Sequence, residues 1–263
     1  MHFTKMQGLG NDYLYIFGEV PNNIEQLCIK LSDRHFGVGS DGMIYISPSK
    51  IADFKMRIFN ADGSEAKMCG NGIRCVGKYV YDKGYTDKTN LTIETLSGIR
   101  NLKLQLVAGR VKKVTVDMGK AIVQKKMTLE AESGIITLTP VTVGNPHAVI
   151  FVDDINTAPL TTLGPVIEKD KAFPEGVNVE FVQVLAPNKL RMRVWERGSG
   201  VTMACGTGAC ASAAAAIVSE FCGYDEPISV QLDGGTLKIQ ISQDNSVLMT
   251  GPAEFVFEGE TLQ

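Results

Sequence analysis

The chain has 263 residues, of which 44% are hydrophobic, and its 26 basic and 29 acidic side chains give a net charge of −3. This balance is typical of an ordinary globular protein, since a nucleic-acid binder needs a basic face and a disordered chain shows runs of like charge. The longest stretch of small and apolar residues, 209–218, is about half the length that a membrane span requires. The first eight residues lack the apolar run of a secretory signal. We therefore expect a cytoplasmic protein that binds neither nucleic acid nor a membrane.

Short motifs recur in the same order in the two halves of the chain, at offsets of 134 to 137 residues. Five ordered matches at nearly one offset are the pattern of an internal duplication. We expect two lobes, residues 1–117 and residues 118–263, with the option that the last strand, about residues 252–263, returns to the first lobe. The matches pair residues 10–11 with 144–145, 39–44 with 176–181, 59–64 with 194–199, 68–72 with 204–208 and 102–106 with 237–241.

Each copy is predicted to contain short alternating strands, then one helix after a Cys-Gly-x-Gly motif, then a hairpin with a glycine turn. In the first copy, residues 92–95 turn at Ser97-Gly98 into residues 102–107. In the second copy, residues 228–232 turn at residues 233–235 into residues 237–241. The second helix, predicted over residues 207–221, is rich in alanine and has no charged side chain before Glu220. We expect it to be buried inside its sheet.

Two of the six cysteines differ from the rest in their position. Cys69 and Cys205 occupy equivalent places in the two copies, each directly before Gly-x-Gly at a predicted helix start. The free N–H groups and the dipole of a helix N-terminus stabilise negative charge, so we expect this position to lower the pKa of a thiol. In a reducing compartment disulfides are not expected. The other four cysteines are predicted to be small buried core residues: Cys28, Cys75, Cys210 and Cys222.

Two thiols on opposite sides of one carbon suit inversion of that carbon, because one thiolate removes a proton and the other thiol returns a proton to the opposite face. The carbanion-like state next to a carboxylate is unstable and needs hydrogen-bond donors that are fixed in advance. The helix starts at Gly70-Asn71 and Gly206-Thr207 are the predicted donors. The sequence therefore favours proton transfer at a carbon beside a carboxylate.

The sequence gives little support for a metal site or for a cysteine–histidine catalytic site. The cysteine spacings are not Cys-x-x-Cys, so no metal site is predicted. Of three histidines, only His147 could partner a cysteine, and we expect it either to tune a thiol pKa or to make a structural hydrogen bond; His2 and His35 are expected to be surface or structural residues.

Two glycine-rich motifs resemble nucleotide-binding loops but lack their context. Residues 37–42 match Gly-x-Gly-x-x-Gly, yet a strand follows them where a dinucleotide fold has a helix. Residues 72–78 resemble a P-loop but lie inside a predicted helix and lack the Ser or Thr. We expect the charged residues of this helix, Arg74, Lys78, Asp82 and Lys83, to form a solvated face.

The motifs at residues 68–75 and 204–208 resemble the paired signatures of the diaminopimelate epimerase family. Further similar elements are residues 8–12, 59–64, 144–147, 176–178 and 196–198, so the resemblance covers nearly the whole chain. It implies an α+β fold of two pseudo-symmetric lobes, each a curled, mostly antiparallel sheet around a central helix, with the site in the cleft between them. It also implies a homodimeric enzyme, independent of PLP or any other cofactor, that interconverts LL- and meso-diaminopimelate in lysine and peptidoglycan precursor synthesis.

Carried over residue by residue, the resemblance makes Cys69 the proton donor and Cys205 the proton acceptor, with the roles exchanging with reaction direction. Glu196 and His147 would tune the thiol pKa values, and Arg197 would bind the distal carboxylate, which a planar guanidinium matches. Many family members carry Gln where this chain has Gly42, so that amide contact is missing or supplied elsewhere. The implied substrate contacts are Asn11, Asn60, Gly70, Asn71, Asn145, Asn178, Glu196, Arg197, Gly206 and Thr207.

Two alternatives stay open at this level. A racemase for proline, hydroxyproline or histidine would use the same scaffold, although Arg197 and four asparagines suit a substrate with a second polar end. A non-catalytic amino-acid-binding protein would need neither thiol, so the paired cysteines argue against it.

Overall fold

The computed structural model describes residues 1–131 and 134–261. The chain divides into two compact units, one formed by residues 1–116 with the segment that begins at Gly251, and the other by residues 117–250. Strands predominate in both, and helices are few. The predicted α+β class is confirmed.

The first unit is a sheet in which most strand pairs are antiparallel. Strand β1 pairs antiparallel with both β2 and β19, β2 runs parallel to β3, and β4 runs parallel to β6. Antiparallel pairing joins β3 to β4, and β6 to β7 and β8 in turn. The elements are β1 (His2–Gly8), β2 (Asn11–Phe17), α1 (Ile24–Ser32), β3 (Gly42–Pro48), β4 (Phe54–Asn60), β5 (Glu65–Ala66), α2 (Gly70–Asp82), β6 (Asn90–Thr95), β7 (Gly98–Val107), β8 (Arg110–Lys120) and β19 (Glu254–Glu260).

The same pairing order recurs in the second unit. Strand β12 runs parallel to β13, β13 antiparallel to β14, β14 parallel to β16, and β16, β17 and β18 are antiparallel in turn. This recurrence is the pattern that an internal duplication leaves. The elements are β9 (Ile122–Val123), β10 (Met127–Ala131), β11 (Gly134–Thr142), β12 (Pro146–Phe151), a 3-10 turn (Ile155–Thr157), α3 (Leu160–Glu168), β13 (Asn178–Ala186), β14 (Lys189–Glu196), β15 (Gly200–Val201), α4 (Gly206–Val218), β16 (Ile228–Leu232), β17 (Gly235–Ile241) and β18 (Ser246–Gly251).

Helices α1 and α3 are absent from the sequence-based prediction. Each connects two parallel strands, β2 to β3 and β12 to β13, and such strands need a crossover that a tight turn cannot supply. Cys28 and Leu31 of α1 pack against Met43, and Leu160 and Ile167 of α3 pack against Phe181. The sequence predicts one helix in each copy, and α1 and α3 are the shorter crossover helices that this prediction lacks.

Helix α4 is the core of the second unit. Its residues from Gly208 to Ile217 are all buried, which confirms the prediction from composition. It ends three residues before the predicted end, because Ser219 closes the last turn and Glu220 adopts a φ of +61°. The one hydroxyl on its buried length, that of Ser212, donates to the Gly208 carbonyl at 2.8 Å.

The predicted solvated face of α2 is wrong. Arg74 is 0% exposed and Lys78 is 5% exposed. The Arg74 guanidinium donates to the carbonyls of Gly70 and Pro252, both at 3.1 Å, and Lys78 Nζ donates to Asp82 Oδ2 at 2.8 Å and to the Val111 carbonyl at 2.6 Å. The i,i+4 spacing of charges is typical of a solvated face, but here Arg74 and Lys78 are buried against partners that include Pro252 and Val111, outside the helix.

All six cysteines are free. Cys28, Cys75 and Cys210 are buried, as predicted for core residues. Cys222 is only half-buried, so its assignment to the core is wrong; it follows α4, in the loop that leads to β16. His2 and His35 are exposed, as expected.

Within residues 1–131 and 134–261, no helix has the length and apolar character needed to cross a membrane.

Removing the cation from the buried pair in α2 is expected to destabilise the protein strongly. Lys78→Met leaves the Asp82 carboxylate, 1% exposed, without its charge partner, and breaking such a pair costs about 3–5 kcal/mol. The control Lys120→Met breaks an ion pair with Asp244 whose side chains are 62% and 59% exposed, and should cost about 0–1 kcal/mol. Urea unfolding of both variants measures the difference, and equal losses would contradict the account.

Candidate active site

Cys69 caps the N-terminus of α2. Its backbone is extended, with φ −136° and ψ 117°, and its Sγ accepts the Gly72 N–H at 3.3 Å. A side chain on Gly72 would displace its neighbour, since a Cβ would lie 2.7 Å from Ile44 Cδ1. The sulfur is therefore held at the positive end of the helix dipole.

Asn11 and Tyr13 lie beside Cys69. The Cys69 thiol donates to Asn11 Oδ1 at 3.3 Å, and Asn11 Nδ2 donates to Asp41 Oδ2 at 2.7 Å. Burial raises the pKa of the Tyr13 phenol well above its usual value, and the neighbouring Cys69 and Asp41 raise that pKa further. Sequence reasoning did not select Tyr13 or Asp41, although both stand close to the Gly10-Asn11 and Gly39 motifs.

Asn60 and Asn71 differ in their surroundings. Asn60 ends β4, and its Nδ2 donates to Ser64 Oγ at 3.1 Å, so its side chain is tied to the turn that follows. Asn71 is buried on the first turn of α2, directly after Gly70.

Gly42 leaves no room for the amide that many family members carry. Its φ is +151°, and a Cβ at this position would lie 2.0 Å from the Phe59 carbonyl oxygen. A glutamine here would require a shift of the backbone.

Cys205 caps α4 in the same way. Its Sγ accepts the Gly208 N–H at 3.3 Å and lies 3.5 Å from Thr207 Oγ1. Burial raises the pKa of the Cys205 thiol well above its usual value, and the carboxylates of Glu196 and Glu180 raise it further. The expectation that the helix start lowers this pKa is wrong for Cys205, because desolvation and two nearby carboxylates outweigh the helix N-terminus.

Glu196 is an acid that hydrogen-bonds with this thiol. Burial raises the pKa of the Glu196 carboxyl, while hydrogen bonds from Thr202 and Cys205 partly offset the rise. Both members of the Cys205–Glu196 pair thus resist ionisation.

His147 and Glu180 form a buried dyad. His147 Nδ1 lies 2.7 Å from Glu180 Oε1, both side chains are 0% exposed, and His147 Nε2 lies 3.0 Å from Asn145 Oδ1. Glu180 also lies against the helix start, since a Cβ on Gly208 would be 2.6 Å from Glu180 Oε1. Sequence reasoning missed Glu180; the signal was a lone acid within the apolar run of residues 177–184.

Asn178 and Arg197 form a second group in this unit. Asn178 Oδ1 accepts the Arg197 N–H at 2.9 Å, and Asn178 Nδ2 donates to the Pro146 carbonyl at 3.2 Å. The Arg197 side chain is exposed, lies over Gly176, and donates to the Glu175 carbonyl at 2.5 Å. It borders a cavity of about 560 Å³ lined by residues 168–171 and 173–176.

The predicted site residues thus fall into connected groups within each unit. Asn11, Gly70 and Asn71 surround the Cys69 helix start, and Asn60 lies at a separate turn. Glu196, Gly206 and Thr207 surround Cys205. The side chain of Asn145 contacts His147, and the side chain of Asn178 accepts the Arg197 N–H. Across residues 1–131 and 134–261, no cluster of three or more His, Cys, Asp or Glu side chains has the arrangement of a metal site.

Solved structures of three proteins share this fold. A PhzF-family phenazine biosynthesis protein from Bacillus anthracis has a TM-score of 0.81 at 16% identity, covering 100% of this chain and 99% of that one. A probable proline racemase from Agrobacterium radiobacter has a TM-score of 0.76 at 17% identity, covering 100% and 93%. A hydroxyproline epimerase from Agrobacterium vitis has a TM-score of 0.73 at 17% identity, covering 99% and 90%. The protein therefore has the fold found in racemases, epimerases and PhzF proteins.

Sequence comparison narrows this class. The diaminopimelate epimerase family model matches residues 3–124 and 139–256. Diaminopimelate epimerases of Parabacteroides distasonis and Bacillus licheniformis are 52% and 50% identical to the chain, and each alignment covers 98% of this chain and 97% of the relative. The chain belongs to the diaminopimelate epimerase family and is an isomerase of the epimerase type, which confirms the resemblance seen in the motifs.

Removing the Glu196 charge is expected to lower the Cys205 pKa. Glu196 raises that pKa, so Glu196→Gln should shift the midpoint of Cys205 alkylation by iodoacetamide to lower pH, by about one unit. Peptide mass mapping across a pH series measures each cysteine separately. Cys222, whose pKa is raised by burial and not by Glu196, is the internal control; a Cys205 midpoint that stays in place would contradict the assignment.

Proposed function

We propose that the chain interconverts LL- and meso-diaminopimelate by proton transfer between Cys69 and Cys205, with no cofactor. One observation carries this proposal: two free cysteines cap equivalent helices, each sulfur at 3.3 Å from the N–H of a glycine three residues on. A structural cysteine has no need of this arrangement twice. Acid–base chemistry at a carbon beside a carboxylate needs both the thiols and the helix-start donors.

The helix starts would hold the reacting carboxylate. The first N–H groups of α2 and α4 have no partner within their helices and attract an anion. As the α-proton leaves, negative charge spreads onto the carboxylate, and donors already aimed at it stabilise the charge without rearrangement. Gly70, Asn71, Gly206 and Thr207 supply these groups.

The proton balance requires one thiolate and one thiol. Cys205 as thiolate takes the α-proton, the C–H electron pair remains on the substrate, and Cys69 as thiol delivers its proton to the opposite face. The cycle ends with Cys205 as thiol and Cys69 as thiolate. In the reverse direction the two cysteines exchange roles.

Glu196 is proposed to hold the proton that Cys205 must lose before it can act as a base. Burial raises the pKa of both groups, so moving the proton from sulfur to carboxylate changes the position of one charge and not the total. His147, held by Glu180, would contribute to the same balance. The whole set of proposed substrate contacts is Asn11, Asn60, Gly70, Asn71, Asn145, Asn178, Glu196, Arg197, Gly206 and Thr207.

The lobe bounds, the location, the oligomeric state and the pathway are proposed from the names of the relatives and from the motifs. We assign residues 1–117 and 118–263 as two epimerase lobes, one with each cysteine, with the last strand, about residues 252–263, returning to the first lobe. We place the enzyme in the cytoplasm as a homodimer in lysine and peptidoglycan precursor synthesis. Native mass spectrometry of the purified enzyme tests the dimer.

Replacing either catalytic cysteine should nearly abolish turnover. Cys69→Ala and Cys205→Ala are expected to lower the epimerisation rate by about 10²-fold to 10⁴-fold or more, because each removes an acid–base group. Cys75→Ala and Cys210→Ala delete buried thiols from the same two helices and should retain most activity.

The assay is run with LL-diaminopimelate in deuterated water. The inverted carbon of the wild-type product should carry solvent deuterium. Full activity of Cys69→Ala or Cys205→Ala would end the two-base proposal, and inversion without deuterium would indicate a shielded single base.

Arg197 is expected to select a substrate with a distal carboxylate. Arg197→Met should raise the KM for diaminopimelate roughly tenfold to a hundredfold, the contribution of charged hydrogen bonds, with a smaller change in kcat. Arg193→Met is the control: Arg193 lies on β14, four positions before Arg197, and pairs with Asp233. Proline, hydroxyproline and histidine are assayed beside diaminopimelate, and faster turnover of one of these would identify a different racemase.

A further inference from the structure

Asn11 and Asn145 are equivalent residues of the duplication. Each follows a glycine with positive φ, Gly10 and Gly144, and each comes at the start of a strand that pairs in parallel, β2 or β12. Their side-chain amides nevertheless make different contacts. Asn11 contacts Asp41 and Cys69, whereas Asn145 contacts His147, which in turn contacts Glu180.

In the first unit, Asp41 determines the orientation of Asn11. A carboxylate only accepts hydrogen bonds, so Asn11 must direct Nδ2 to Asp41 Oδ2, at 2.7 Å. Asp41 is itself held by the Asp12 N–H at 3.0 Å and by Arg34 at 2.8 Å. Asn11 Oδ1 is left facing Cys69 Sγ at 3.3 Å. A carbonyl oxygen accepts a bond from the thiol but repels the thiolate.

In the second unit, Glu180 acts through His147. Asn145 Oδ1 lies 3.0 Å from His147 Nε2; an amide oxygen only accepts, so this contact is a hydrogen bond when Nε2 carries a proton. His147 Nδ1 and Glu180 Oε1 lie 2.7 Å apart and share one proton when they are hydrogen-bonded. With both bonds formed, the dyad holds two protons and Asn145 keeps its Nδ2 group as a donor.

We propose that Asp41 and Glu180 are positioning residues that fix the two equivalent asparagines in opposite orientations. Asn11 then keeps Cys69 protonated, and Asn145 offers an N–H group to a carboxylate oxygen of the substrate. The substrate contact rests on the proposed function; the two amide orientations do not. The duplicated site is therefore chemically asymmetric before substrate arrives, with its proton donor on the Cys69 side.

Other titratable groups surround these asparagines and are shared by all variants below. Tyr13 and Tyr15 on β2 and Cys75 on α2 face Cys69. Glu196 on β14 faces His147, and Cys205 before α4 faces Glu196 and Glu180. None of these is changed in the tests, so a shift reports on the substituted residue.

The first test measures the pH midpoint of Cys69 alkylation by iodoacetamide in the protein without substrate. Asp41→Leu frees Asn11 to turn its N–H to the sulfur, which stabilises the thiolate, so the midpoint should fall by about one pH unit. Asp41→Asn removes the charge but keeps an accepting oxygen, and its midpoint should move much less. Arg34→Met keeps the Asp41 carboxylate, which the Asp12 N–H still holds, and its midpoint should move much less than that of Asp41→Leu.

The outcomes separate positioning from a merely structural role. An unchanged midpoint in Asp41→Leu overturns the assignment of Asp41. Equal shifts in all three variants also overturn it, because they would report loosening of the loop or loss of charge and not the amide orientation.

The second test uses nitrogen NMR of the imidazole rings, which is simple because the chain has three histidines. In the wild type, His147 Nε2 should carry a proton at neutral pH. Glu180→Gln should leave a neutral ring with a single proton, because a glutamine does not supply the charge that stabilises an imidazolium. A bare Nε2 in the wild type, or protons on both ring nitrogens in Glu180→Gln, overturns this half of the proposal.

Neither measurement requires substrate. If the enzyme does not turn over diaminopimelate but both measurements agree with expectation, the proposed function fails and the positioning roles stand. If turnover is as proposed but the midpoints and ring protonation do not respond, only the positioning roles fail.

Discussion

The hydrogen bond from a helix N–H group to a cysteine sulfur is the constraint on which the rest of the site depends. It occurs twice, from Gly72 to Cys69 and from Gly208 to Cys205, at 3.3 Å in both units. In both units the glycine that donates this bond lies close to a side chain of the neighbouring strand. A Cβ at Gly72 would lie 2.7 Å from Ile44 Cδ1, and a Cβ at Gly208 would lie 2.6 Å from Glu180 Oε1.

The strand beneath each cap shows how the two copies diverged. In the first unit Ile44 lies opposite Tyr15 and its Cδ1 approaches Gly72. In the second unit Glu180 lies opposite Val149, and its Oε1 approaches Gly208. The register thus makes Ile44 the equivalent of Glu180, one residue out from the sequence match that pairs residues 39–44 with 176–181. The same position holds an apolar side chain in one copy and an acid in the other. The cap geometry is shared, whereas the charge around the sulfur is not.

The sequence was sufficient for features that depend on local chemistry. Cys-Gly-x-Gly predicts a helix start, the alanine run predicts a buried α4, and the glycine turns predict the hairpins, because each is determined by neighbouring residues. Arg74 was misread since its partners, the carbonyls of Gly70 and Pro252, include one far along the chain. The raised pKa of Cys205 has the same origin: Glu196 and Glu180 come from two different strands.

The burial of Glu180 costs folding free energy. It is 0% exposed, and within the described residues its Oε2 has no hydrogen-bond partner. An ionised group in such a place loses several kcal/mol of hydration, and an apolar residue of similar size is often neutral or stabilising in its stead. Ile44 shows that the fold accepts an apolar residue at the equivalent position. Stability alone therefore does not account for an acid beside Gly208, whereas the proton that it shares with His147, and the amide orientation that follows at Asn145, give the acid a chemical role.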